Sequence, residues 1–196
     1  MSAQQGGFMK FIYYLIKIQL DMMNELKENK GVVAFNGTPL TLLGETIQVG
    51  DTAPDFTAIG RDSKPVSLSD VKGKTVILSV FPSIDTGVCA MQTKRFNKEA
   101  TALSENVTVL TLSKDLPFAL GRFCAAEGID RIHTLSDYMQ SEFGRKYGFL
   151  IKENMLLARG VVVINPEGKV VYVEYVKELT TEPDYEKALN AAKSTL

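Results

Sequence analysis

Residues 76–89 read VILSVFPSIDTGVC. Val76 to Phe81 is a nearly continuous apolar run of strand length, the pattern of a strand covered on both faces. Pro82-Ser83-Ile84-Asp85-Thr86-Gly87 turns the chain, and Cys89 opens a helix. It is one of only two cysteines in 196 residues. Helix formers continue from Ala90 to Leu103, and a second buried strand follows at Val107 to Leu112, so the stretch begins a βαβ unit.

Working outward, Val32 to Phe35 and Leu40 to Leu43 flank Asn36-Gly37, whose readiness for positive φ predicts a β-hairpin with a primed turn. Residues 52–74 read as loop with short strands, because Pro, Gly, Asp and Ser punctuate them densely. A helix from about Leu116 to Glu127 carries Cys124 and stops at Gly128. A short helix is expected over Ser136 to Tyr147. Val161 to Ile164 and Val170 to Val176 read as an antiparallel pair joined by the turn-rich Asn165 to Lys169. Pro183 to Leu196 reads as a closing helix. The order gives an α/β domain, residues 31–196, with a mixed central sheet, helices on both faces and an N-terminal β-hairpin. No internal repeat or low-complexity tract interrupts it.

Residues 1–30 form an N-terminal extension. Its apolar stretch, Phe8 to Leu20, is about 13 residues broken by Lys10 and Lys17, against roughly 20 for a bilayer span. No membrane span is expected, and the pattern of a cleaved signal is absent. Phe8, Phe11, Ile12, Leu15, Ile18 and Met22 fall near helical spacing, which leaves an amphipathic helix or a poorly ordered extension, with Met22 or Met23 as the working start.

Composition narrows the function. Lys plus Arg number 22 against 23 acidic residues, so no net field attracts nucleic acid. Gly73-Lys74-Thr75 resembles the tail of a P-loop, but the earlier glycine is replaced by Leu68. His133, the single histidine, lies too close in sequence to Ser136 and Asp137 for a hydrolytic triad, and reads as a surface or half-buried residue near a helix start. Two separated cysteines and one histidine are too few soft ligands for a zinc site.

Cysteine chemistry remains. A helix start points unpaired N–H groups and the positive end of the dipole toward Cys89, which favours a thiolate. Nucleophilicity falls as a thiol becomes more acidic, so a large rate must come from donors over the reacting atoms. The Thr86 hydroxyl, the N–H groups of Val88 and Cys89, and a distant cation are the available donors. On the residues alone, Cys89 is either a reactive thiol or a small buried apolar side chain.

Pro82, Thr86 and Cys89 form a Pro-x-x-x-Thr-x-x-Cys pattern. With Asp115-Leu116-Pro117-Phe118-Ala119, Arg122-Phe123-Cys124, Ala158-Arg159 and Thr180-Thr181-Glu182-Pro183-Asp184-Tyr185, the chain from about 31 to 196 resembles the thiol peroxidase subfamily of atypical two-cysteine peroxiredoxins. The resemblance implies a thioredoxin-like fold and the reduction of hydrogen peroxide and organic hydroperoxides without metal or organic cofactor, in antioxidant defence. It implies Cys89 as the peroxidatic cysteine, Thr86 and Arg159 as the polar pair that orients thiolate and peroxide, and Pro82 as a shield. Cys124 resembles the resolving cysteine, closing an intramolecular disulfide that thioredoxin reduces. A homodimer is implied, and a cytoplasmic location suits a cysteine pair that must cycle. If the reduced fold holds the two cysteines beyond disulfide reach, a local opening must precede closure. The absence of Cys-x-x-Cys disfavours a thioredoxin-like exchanger, and turnover distinguishes an enzyme from a redox sensor or holdase.

Overall fold

The computed structural model describes Tyr13 and residues 26–196. Except for Tyr13, the segment considered for an amphipathic helix lies outside the described residues. The chain runs β1 (Glu28–Phe35), β2 (Thr38–Leu43), β3 (Thr57–Gly60), β4 (Pro65–Ser67), a 3-10 turn (Leu68–Val71), β5 (Thr75–Val80), α1 (Gly87–Ala100), β6 (Val107–Ser113) and α2 (Pro117–Glu127). It continues with β7 (His133–Ser136), α3 (Glu142–Lys146), β8 (Leu150–Ile151), β9 (Gly160–Ile164), β10 (Val170–Tyr175) and α4 (Tyr185–Lys193).

A seven-stranded mixed sheet has the order β10-β9-β5-β6-β7-β3-β4. β5, β6 and β7 run parallel, and β9 lies antiparallel to β5. Both faces of this sheet are covered. Val76, Leu78 and Val80 enter one apolar cluster with Phe143 and the hairpin residues Val33 and Leu42, while Ile77 enters another with Phe96 of α1 and Ala188 of α4. This alternation explains why β5 reads as a buried run without polar positions facing water. The expected α/β architecture with helices on both faces is present.

β1 and β2 pair antiparallel through Asn36 and Gly37, at φ 49° and 76°, as the Asn-Gly pair predicts. β2 also pairs with β8, making a second, three-stranded sheet. The first strand begins at Glu28, ahead of the boundary drawn at residue 31.

Two local expectations need correction. The helix expected over 136–147 is instead the end of β7, a turn, and the five-residue α3. Ser136 pairs with Ser113 of β6 and Ile59 of β3, and Asp137 accepts from the Phe143 and Gly144 N–H groups, holding the start of α3 late in the segment. His133 therefore opens a strand, where partial burial lowers its basicity. α1 starts at Gly87, two residues ahead of the Cys89 expected to open it, so Cys89 lies inside its first turn.

Candidate active site

Strand β5 delivers the chain to Pro82, and α1 lifts it away from the turn between. Ser83 Oγ donates to Asp115 Oδ1 at 2.7 Å, and Ile84 N donates to Asp115 Oδ2 at 2.7 Å. Ser113 Oγ reaches the same carboxylate at 2.8 Å. Asp115, the residue preceding the N-cap of α2, thus ties the turn to the end of β6. These are charge-assisted bonds, stronger than neutral ones.

Thr86 is the N-cap of α1, but its hydroxyl makes no capping bond. It lies 2.9 Å from Cys89 Sγ and 3.1 Å from Ser83 O, and its single proton serves one of them at a time. Arg159 precedes the first residue of β9 and is 2% exposed. Its Nη2 donates to Cys89 Sγ at 3.2 Å, Nη1 to Gln92 Oε1 at 2.6 Å, and Nε to Leu179 O at 3.0 Å. Gln92, one turn beyond Cys89, is itself fixed by donation to Ser79 Oγ at 2.8 Å and Val80 O at 3.2 Å.

Cys89 has no exposed surface. The Val88 and Cys89 N–H groups are not among the partners of its sulfur in the described residues; the donors are the side chains of Thr86 and Arg159. No carboxylate forms an ion pair with Arg159 among the described residues. A buried cation requires compensation, and the side-chain groups facing this one are Gln92 Oε1 and the Cys89 sulfur.

Thr86, Arg159 and Pro82 line a cleft of about 480 Å³, with Phe35 and Leu40 from the hairpin, Ile151, Leu156 and Leu179 on the apolar side. The structure therefore brings Arg159, 70 positions along the chain from Cys89, to the turn that carries Pro82, Thr86 and Cys89. Cys124 stands apart from them. It is buried in α2, with Sγ 3.5 Å from Thr134 Oγ1, and both cysteines are free thiols. Cys124 belongs to the cluster of Phe96 and Ile129, and Cys89 to that of Phe81, Ile84 and Leu120. Phe123 packs against both clusters.

A model of the Redoxin family matches residues 48–189. A thiol peroxidase of Oceanobacillus iheyensis is 55% identical over 158 residues, covering 81% of this chain and 96% of that protein. The thiol peroxidase of Bacillus subtilis is 54% identical over 162 residues, covering 83% and 96%. The chain belongs to the Redoxin family, among its thiol peroxidases. A peroxiredoxin-like protein from Aquifex aeolicus is similar to this redoxin with a TM-score of 0.79 and 37% identity, covering 84% of this chain and 96% of that one. A thiol peroxidase from Chromobacterium violaceum, 19% identical, shares the fold at a TM-score of 0.73, covering 84% and 98%.

Two positioning residues of this redoxin escaped the reading of its sequence. Gln92 could have been found as the side chain three positions after Cys89 on the same helix face. Asp115 was quoted within a motif, but nothing local announces that its carboxylate holds the turn at residues 83 and 84. Among the described residues, no three His, Cys, Asp or Glu side chains converge to hold a metal ion. No described helix is long and apolar enough to cross a membrane.

Proposed function

We propose that this redoxin reduces hydroperoxides through Cys89 and is recycled by a thioredoxin-type dithiol. The observation that carries the reading is one buried sulfur held between the Thr86 hydroxyl and the Arg159 guanidinium, two groups that themselves line an apolar cleft. The Cys89 thiolate attacks the terminal peroxide oxygen. An S–O bond forms as the O–O bond breaks, the sulfur becomes a sulfenic acid, and the leaving alkoxide or hydroxide takes a proton from water. Thr86 and Arg159 stabilise the charge that spreads over the separating oxygens. Pro82 shields the sulfenic acid.

Cys124 then condenses with the sulfenic acid, forming the disulfide and releasing water. Because the two thiols sit in separate clusters, the first turn of α1 and the helix around Cys124 must open before they meet. A reduced dithiol restores both thiols by exchange. The apolar cleft suits organic as well as hydrogen peroxides. A homodimer is favoured by the exposed apolar side chains Leu116, Phe118 and Met139, and a reducing cytoplasm suits the cycling pair.

The test is NADPH oxidation with thioredoxin and thioredoxin reductase under peroxide. Many turnovers per protein are expected; no more than one overturns the enzyme reading. The Cys89→Ser protein should not react, whereas Cys124→Ser should still form a sulfenic acid. Peptide mapping after one equivalent of peroxide should link residues 89 and 124.

A further inference from the structure

The hairpin that walls the cleft is fastened by a side chain far along the chain. Glu178 Oε1 accepts from Asn36 N and Glu178 Oε2 from Gly37 N, each at 3.0 Å. These are the two residues of the turn between β1 and β2. Thr180 donates to Oε1 through its N–H at 3.2 Å and its hydroxyl at 2.9 Å. Four donors around one carboxylate hold its charge, and its carboxyl is lowered to about 2, so the contact does not titrate near neutrality.

The backbone extends the same attachment. Ala34 N donates to Lys177 O at 2.7 Å, and Leu179 N donates to Ala34 O at 2.9 Å. Phe35 and Leu40 on the hairpin, and Leu179 and Thr180 on the facing segment, all line the cleft that Thr86 and Arg159 enter. Leu179 O also receives Arg159 Nε. Phe35 is 52% exposed, so little packing of its own holds it over the cleft.

We propose that Glu178 is a positioning residue for substrate selection, latching the Asn36–Gly37 turn so that Phe35 and Leu40 form the wall that bulky organic hydroperoxides contact. Hydrogen peroxide is too small to use that wall, so the latch separates the two substrate classes. The inference rests on the peroxidase reading for its substrate and on geometry alone for the latch.

The test compares wild type, Glu178→Gln and Glu178→Ala. Glutamine keeps one acceptor but places an amide N–H against the other turn donor, so it should fall between the other two. The rate constant for cumene hydroperoxide should drop about tenfold in Glu178→Ala, the scale of a lost apolar contact, while that for hydrogen peroxide stays within about twofold. Hydrogen exchange at the Asn36 and Gly37 amides should accelerate by about tenfold or more. Equal losses for both peroxides, or no loss for either, overturn the selection role. Unchanged exchange at residues 36 and 37 overturns the latch, whatever the activity. A wild-type protein that consumes neither peroxide counts against the peroxidase reading and the selection built on it, while the exchange result decides the latch separately.

Discussion

Replacing Thr86 with valine removes one hydroxyl and keeps the shape of the side chain. The hydroxyl makes no cap bond to α1, and the residue is exposed, so the loss to the fold is confined to its 3.1 Å bond with Ser83 O. A single such bond contributes about 1 kcal/mol. For a domain of this size, that lowers Tm by roughly 2–4 °C. The chemistry loses more. The same hydroxyl lies 2.9 Å from the sulfur proposed to attack the peroxide. Removing one preorganised donor from a site of developing charge costs on the order of 100-fold in rate. That corresponds to about 2.7 kcal/mol in the barrier. Thr86→Ser, which keeps the donor, should stay within about tenfold of wild type on the same physical grounds. Rapid mixing with peroxide, quenching by a thiol alkylator and mass analysis measures the loss of free Cys89 directly, which suits a chain without tryptophan. A Thr86→Val protein as fast as wild type refutes the donor role. So does a Thr86→Ser protein as slow as Thr86→Val.

Gln92→Leu leaves Arg159 Nη1 and Ser79 Oγ without their buried partner, and should destabilise the protein by about 2–4 kcal/mol while slowing the peroxide reaction. Urea unfolding checks the first effect, and a loss below about 1 kcal/mol contradicts it. Asp137, buried beneath α3, has its carboxyl raised to about 6 from an ordinary value of 3.8, with burial the main cause. The folded state therefore holds this proton more tightly than the unfolded state. Its contribution is fully present below about pH 4 and is lost as pH rises through about 6, an effect on the order of 3 kcal/mol. The stability of wild type relative to Asp137→Asn should accordingly fall between pH 4 and 7; a flat or rising difference rejects this.

The parts of the fold that were legible are those where local chemistry and tertiary placement agree. Asn36-Gly37 demanded positive φ and received it. The apolar run at residues 76–81 had to be covered on both faces, and two separate clusters cover it. The segment from 133 to 147 was misread because its strand is only four residues long, and its pairing with β6 and β3 is invisible in sequence. The start of α1 was placed late because glycine and valine at 87 and 88 are weak helix formers, and the anchored turn before them decides the boundary. Within the site, Cys89 and Thr86 were readable from their shared turn. Arg159 was reachable through family resemblance alone, since nothing in Ala158-Arg159-Gly160 shows which sulfur it faces. Gln92 is a neutral amide without chemistry of its own, and Glu178 acts on a turn 142 positions away.

Phe123 is a party wall between the two cysteine compartments. In the proposed cycle, moving α2 far enough to release Cys124 would also withdraw Phe123 from the apolar cluster that encloses Cys89. Under that proposal, closing the disulfide would leave the packing around Cys89 open until a reductant restores both thiols. On that cycle it would work as a turnstile, admitting one peroxide per visit from a reductant, with its throughput under stress set by how often reducing partners call.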